Sequence, residues 1–175
     1  MSARVVAVVP AYNEAGAIGK LVDEIAEHQP ELDVALGGSD FRGDTGSARS
    51  LGVIPFNLFA RAISAARVNL NVTRRPHATV AGSSTARPFE LASSGAAIVS
   101  NPHEGIERWF EPGRELLIVS SADEAVAAYR ELVSDPGQAE ALGQRARERV
   151  LDEHTYAHRA RRLLELVGLE AGVEA

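Results

Sequence analysis

Arg87-Pro88-Phe89-Glu90-Leu91-Ala92-Ser93-Ser94-Gly95-Ala96-Ala97-Ile98-Val99-Ser100 decides the fold. Arg87 to Ser94 can make a short helix. Gly95 ends it in the left-handed conformation, which glycine adopts without steric cost. Ala96 to Ser100 is then a strand, in a chain whose apolar runs suit parallel strands covered on both faces.

Working outward, Val68 to Val72 reads as another buried strand, preceded by a helix from Leu58 to Ala66 that Asn57 would cap, and by a short apolar strand, Leu51 to Ile54, before Pro55. On the other side, Gly105 to Phe110 suggests a helical turn packing Ile106, Trp109 and Phe110. The turn at Pro112-Gly113 leads to a strand over Glu115 to Val119. Ser121, followed three residues later by Glu124, resembles a capping box for a helix over Asp123 to Val133. Asp135 and Pro136 start the next helix, with Ala139, Leu142, Ala146 and Val150 as its buried stripe through to about Asp152. A last helix, Tyr156 to Val167, carries Leu163, Leu164 and Leu166.

The opening follows the same alternation. Arg4 to Val9 is a β-branched run stopped by Pro10. Gly16 to Gln29 has Ile18, Leu21, Val22 and Ile25 at helical spacing, and Asp33 to Leu36 is the next strand. Gly37 to Ser50 reads as a mobile, glycine-rich loop. Strands alternating with helices predict an α/β fold, a single Rossmann-like, doubly wound parallel sheet with a helical C-terminus. One domain over residues 1–169 and a disordered tail over 170–175 complete the expectation.

Composition bounds the function. A chain of 175 residues supports one sizeable core and is short for two. With a net charge of −6 and Lys20 as the sole lysine, it has no basic field for nucleic acid. The longest apolar run, Val5 to Ala11, is far below the roughly 20 residues of a membrane span. The first residues lack a secretory cleavage site, so a cytoplasmic protein is expected. The absence of cysteine excludes disulfides, thiolate nucleophiles and thiolate zinc sites. The five histidines are too scattered to suggest a metal site; His154 and His158, four apart in a charged helix, read as surface chemistry.

In an open α/β sheet the ligand crevice lies outside the carboxyl ends of the strands, which directs attention to the loops after Val9, Leu36, Val72 and Val99. The loop after Val72 leads into Ser83-Ser84-Thr85-Ala86-Arg87, a small, hydroxyl-rich turn feeding a helix. Its backbone N–H groups, hydroxyls and the Arg87 guanidinium suit a diphosphate; the plainer alternative is a helix cap from Ser84 or Thr85. Glu90, one turn in, could accept hydrogen bonds from two ribose hydroxyls, or be a solvated helix glutamate. Arg74 and Arg75 directly follow a strand, so one could reach a phosphate, although a surface pair is the alternative. His103, Glu104 and Glu107 follow the next strand and are candidate sugar contacts or acid–base groups; polar surface is the bland reading. The chain has neither a G-x-G-x-x-G after its first strand nor a Walker lysine.

The segments Thr85-Ala86-Arg87-Pro88-Phe89-Glu90-Leu91-Ala92, Gly95 to Ser100 and Phe110-Glu111-Pro112-Gly113-Arg114-Glu115 resemble the spore-maturation CgeB-like branch of the group 1 glycosyltransferases. So does the ending, Arg145 to Leu151 followed by Glu153 to Arg159. The resemblance runs from about Arg49 to Leu169 and implies the carboxyl-terminal lobe of a GT-B fold. It also implies a nucleotide diphosphate sugar as substrate, with neither cofactor nor metal, because helix dipole and basic side chains neutralise the leaving diphosphate. By similarity Glu90 matches the ribose-binding glutamate, and Ser84 to Arg87 match the diphosphate turn. Where relatives carry an earlier acid eight positions before that glutamate, this chain has Gly82.

Val5 to Ala15, with Pro10-Ala11-Tyr12-Asn13-Glu14, is instead similar to the first strand and turn of the family 2 glycosyltransferases. That similarity stops near Val34 and lacks the Asp-x-Asp that would hold a metal. A donor-binding lobe, completed by a second lobe or subunit that supplies the general base, is the expectation. A nucleotide-holding module without turnover and a truncated family 2 enzyme are the alternatives.

Overall fold

The computed structural model describes residues 6–10, 23, 27, 33–37, 49–73, 79–80 and 84–168. The chain divides into two compact units, Met1–Phe59 and Ala60–Ala175.

In the first unit, β1 (Val6–Pro10), β2 (Asp33–Gly37) and β3 (Arg49–Gly52) form a parallel sheet in the order β1-β2-β3. β1 pairs with β2 from Val6↔Asp33 to Pro10↔Gly37, and the β2–β3 register shifts between Leu36 and Gly37. Pro10 closes β1, consistent with its missing N–H. Arg49 and Ser50, expected in the loop, lie in β3. Most of the helix expected over Gly16 to Gln29 and the loop over 38–48 lie outside the described residues; Asp23 and Glu27 are helical.

Helix α1 (Phe56–Ala65) begins as the Leu58 N–H reaches the Pro55 carbonyl at 2.8 Å. That bond places Asn57 inside the first turn and not at the cap, correcting the sequence expectation.

In the second unit, β4 (Val68–Asn71), β5 (Ala97–Ser100) and β6 (Leu117–Ile118) form a parallel sheet in the order β4-β5-β6. All four residues of β5 are buried, as a central strand covered on both faces requires. Ala97 and Val99 point to one face, where they meet Ala128 and Leu132 of α3 (Ala122–Ser134) and Ala139 and Leu142 of α4 (Pro136–Glu153). β4 is less covered than its apolar sequence suggests. Leu70 is exposed, while Asn71 is the buried residue of the strand.

Helix α2 (Arg87–Ser93) ends as Gly95 takes φ 71°. The Ala96 N–H reaches the Leu91 carbonyl and the Gly95 N–H that of Ala92, the double bond of a Schellman turn. A 3-10 turn, Ile106–Arg108, buries Ile106 and leads to the buried Phe110. Asp135 caps α4 through the Gln138 N–H at 3.0 Å, and Ala139, Leu142, Ala146 and Val150 are all buried. Ser121 caps α3 through the Glu124 N–H, but the Glu124 carboxylate takes the N–H of Ser120, so only half of the expected box forms. In α5 (Tyr156–Leu166), Thr155 and His158 build a reciprocal capping box, and Leu163 and Leu166 are exposed.

The expected α/β class with parallel strands holds. Its strands lie in two three-stranded sheets, and among the described residues no ladder joins them. Periodicity specifies strands and faces, whereas it leaves open which strand edges pair. The expected tail over 170–175 lies outside the described residues.

Candidate functional site

At the carboxyl ends of β4 and β5 the chain buries a polar cluster within a largely apolar interior. Asn71, Ser100, Thr73 and His103 are each at most 6% exposed. Such groups are tolerated only when hydrogen-bonded. Asn71 Nδ2 donates to Ser100 Oγ at 2.9 Å and to Thr73 Oγ1 at 3.4 Å. The Asn101 carboxamide accepts from the Thr73 N–H at 2.7 Å and donates to the Thr73 carbonyl at 3.1 Å. The Asn101 N–H reaches the Asn71 carbonyl at 3.3 Å, prolonging the β4–β5 ladder by one rung.

His103 Nδ1 lies 3.5 Å from Thr73 Oγ1. Burial pushes the imidazole pKa below its usual value of 6.5; the Asn101 carbonyl and the negative charge of Glu107 pull in the opposite direction. Of the three candidate sugar contacts, His103 is therefore buried beside Glu107, whereas Glu104 and Glu107 are exposed.

The expected diphosphate turn is described from Ser84 onward; Ser83 and Arg74 lie outside the described residues. Ser84 is exposed, Thr85 is half-buried, and the Ser84 hydroxyl donates to the Thr85 carbonyl at 3.2 Å. Neither caps the helix. The cap position is Ala86, in a right-handed helical conformation with no side-chain hydrogen bond, and Pro88 stands in the first turn. Glu90 and Arg87 sit together on the outer face of α2, 3.4 Å apart and more than a third exposed, while Pro88, Leu91 and Ala92 on its other face are buried.

The orientation of α2 is set by Phe89. Its ring packs against Trp109, Phe110 and His154 at centroid distances of 5.8, 5.4 and 5.5 Å. The Arg159 guanidinium lies 4.8 Å above the Trp109 ring and 3.2 Å from His154 Nδ1, and His154 Nε2 donates to the Trp109 carbonyl at 3.1 Å. A carbonyl only accepts and a guanidinium only donates, so His154 carries its hydrogen on Nε2. His154 was expected to be surface chemistry; it joins an aromatic cluster from three parts of the chain. Arg147 adds a bond from Nε to the Ser93 carbonyl at 3.2 Å.

The loop before β6 is held from beneath. The buried Glu115 carboxylate accepts from Arg149 Nε at 3.2 Å and from the Glu111 N–H at 2.7 Å, which ties the Glu111–Gly113 turn to α4. A cleft of about 240 Å³, lined by Ser64, Arg67, Ser94, Gly95 and Glu140, lies at the other end of the sheet, near the amino ends of β4 and β5. It is remote from the carboxyl-end chemistry. Among the described residues no group of three or more His, Asp or Glu could hold a metal ion, and no helix is long and apolar enough to cross a membrane.

A family model described as glycosyl transferase-like matches residues 19–165, most of the chain. The chain belongs to that family. No curated protein matches this glycosyl transferase-like chain. Among solved structures, it is similar to sucrose-phosphate synthase from Thermosynechococcus elongatus, with a TM-score of 0.69 and 20% identity over 94% of this chain and 45% of that one. The Anabaena protein Alr3699/HepE in complex with UDP also matches, with a TM-score of 0.69 and 13% identity over 94% of this chain and 49% of that one. The C-terminal domain of a group 1 family glycosyl transferase (LpcC) from Francisella tularensis matches with a TM-score of 0.57 and 9% identity over 87% of each. This glycosyl transferase-like chain thus spans about half the length of the first two. Its fold is that of an α/β lobe of the GT-B glycosyltransferase kind.

Sequence reasoning singled out Thr85 and His103 in the loops after strands, and Arg87 and Glu90 in the short helix that the first of those loops feeds. It missed Asn71, Thr73, Ser100 and Asn101. The available signal was an asparagine, Asn71, ending an apolar strand, where a buried amide must find partners.

Proposed function

We propose that this chain is the donor-binding lobe of a glycosyltransferase that moves a sugar from a nucleotide diphosphate sugar to an acceptor. Glu90 accepts from the ribose hydroxyls. Ser83, Ser84, Thr85, Arg87 and Arg74 are assigned to binding the diphosphate, and His103, Glu104 and Glu107 to sugar contacts. The observation that carries this reading is the pairing of Arg87 and Glu90 on the half-exposed face of α2, beside a turn whose hydroxyls do not cap the helix. A guanidinium and a carboxylate side by side can serve the anionic oxygens and the ribose hydroxyls of a nucleoside diphosphate.

α2 has seven residues, so its dipole supplies only part of the neutralisation; guanidinium and amide donors supply the rest. On this reading no metal or other cofactor takes part, and the general base comes from a second lobe or subunit. The family match supports glycosyl transfer, as do the neighbours solved with UDP and with UDP-glucose. Membership of the CgeB-like branch, on the strength of its motifs, an opening that is the family 2-like piece of a junction, and a cytoplasmic setting belong to the same proposal.

Calorimetry with UDP, GDP and UDP-glucose tests it, with donor hydrolysis and transfer assayed separately. Binding of one nucleotide that is weakened in Arg87→Ala supports the reading; no binding of any of the three removes it. A second reading, a module that holds nucleotide without turnover, is favoured by Gly82 standing where an acid is expected eight positions before Glu90. Nucleotide binding with neither hydrolysis nor transfer would select it.

A further inference from the structure

The two ends of α2 are held in different ways. Its carboxyl end is fixed through backbone atoms. Arg147 Nε donates to the Ser93 carbonyl at 3.2 Å, Ser64 Oγ donates to the Ser94 carbonyl at 3.2 Å, and Gly143 lets α4 pass against the Gly95 backbone. The first turn, which carries Arg87 and Glu90, has no side-chain cap at Ala86, and a partly exposed i,i+3 ion pair orders it little. A helix of seven residues does not hold such a turn by itself. Packing holds it instead: Pro88 is buried, and the Phe89 ring lies against Trp109, Phe110 and His154.

Arg159 closes that ring cluster. Its guanidinium lies 4.8 Å from the Trp109 centroid and 5.8 Å from that of Phe89, and it donates to His154 Nδ1 at 3.2 Å. One cation thus engages rings from α2, from the turn after β5 and from the end of α4. The same cluster anchors α5, which buries no residue of its own and leaves Leu163 and Leu166 exposed.

We infer that Arg159 is a positioning residue for the nucleotide site: acting through Trp109 and Phe89, it fixes the first turn of α2 and so presents Arg87 and Glu90 together. For the ligand, the inference rests on the proposed nucleotide-sugar reading; for the helix, it rests on the contacts alone. Coupling is reciprocal, so a nucleotide held by Arg87 and Glu90 in turn tightens the cluster around Phe89. Trp109 is the sole tryptophan of the sequence, and its fluorescence therefore reports on this cluster.

The test compares the full natural chain with Arg159→Ala and Arg159→Lys. Arg159 is exposed, so its truncation opens no cavity in the core. The Glu90 N–H, bonded to the Ala86 carbonyl at 3.0 Å, should exchange about 2- to 5-fold faster in Arg159→Ala, the scale of one exposed cation–π contact. The amides of Ile98 and Val99 in β5 should be unchanged, and Arg159→Lys, which keeps a cation over the rings, should restore Glu90. UDP affinity should follow the same order, and UDP should change the Trp109 emission of the natural chain with the midpoint that calorimetry gives. Unchanged Glu90 exchange in Arg159→Ala overturns the inference. Equal acceleration in β5 also overturns it, because it indicates a merely structural residue, and so does faster Glu90 exchange with undiminished UDP affinity. If the natural chain does not bind UDP, GDP or UDP-glucose, the proposed function and the ligand half of the inference fall together, while Glu90 exchange still decides whether Arg159 fixes α2.

Discussion

Arg87 Nη1 lies 3.4 Å from Glu90 Oε2, three residues further along the same short helix. The side chains proposed for the diphosphate and the ribose therefore neutralise each other before ligand arrives. An exposed pair of this spacing contributes only about 0.2 to 0.5 kcal/mol to stability.

Glu90→Ala is expected to weaken UDP binding by about 1 to 3 kcal/mol through the lost ribose contacts, with the melting temperature almost unmoved. Calorimetry and thermal unfolding read the two effects separately. Unchanged affinity would take Glu90 out of the site.

Gly143 lies where α4 meets the turn between α2 and β5. A Cβ there would overlap the Gly95 carbonyl oxygen and come within 2.8 Å of the Gly95 carbonyl carbon, both backbone atoms that cannot rotate away. Gly143→Ala should destabilise the chain by about 1 to 3 kcal/mol, the usual cost of overpacking. Denaturant unfolding measures it; a neutral result would mean that α4 shifts freely.

Glu115 links α4 to the Glu111–Gly113 turn through Arg149 and the Glu111 N–H. Glu115→Ala leaves that N–H and guanidinium without their acceptor. Since Arg149 is 31% exposed and keeps Glu153, the expected loss is about 1 to 3 kcal/mol, below that of a fully buried pair. Equilibrium unfolding of the two forms gives the value, and a loss well under this range would make the link ornamental.

The His103 pKa is lowered from 6.5, chiefly by burial. As pH falls below 6.5, the unfolded chain binds a proton that the folded chain resists. Stability is therefore fully present above 6.5 and declines as pH falls from 6.5 toward the folded-state pKa, below which the decline stops. Unfolding free energies between pH 7.5 and 5 should slope more steeply for the natural chain than for His103→Gln. Identical slopes would show that burial does not disfavour the charged ring.

Local features were legible because they depend on neighbours in sequence. The α4 stripe, Ala139 to Val150, follows from the 3.6-residue period. The left-handed Gly95 follows from glycine's missing Cβ, and the caps at Ser121 and Asp135 from short acceptors before apolar runs. Asn57 misled for an equally local reason: the Pro55 carbonyl already engages the helix start, so the capping side chain has no vacant role.

The sequence by itself thus determined the α/β class, parallel strands, helix ends and the presence of Glu90 one turn into a short helix. Only the tertiary structure decided that the strands lie in two sheets and that a half-buried His154 packs on Phe89. It also decided that Asn71, Thr73, Asn101 and His103 share one buried network. Those contacts join residues up to 65 positions apart, Phe89 and His154 being the farthest. Periodicity and capping act over about one turn or one pleat, whereas pairing of distant strands is chosen by the packing energy of the whole chain.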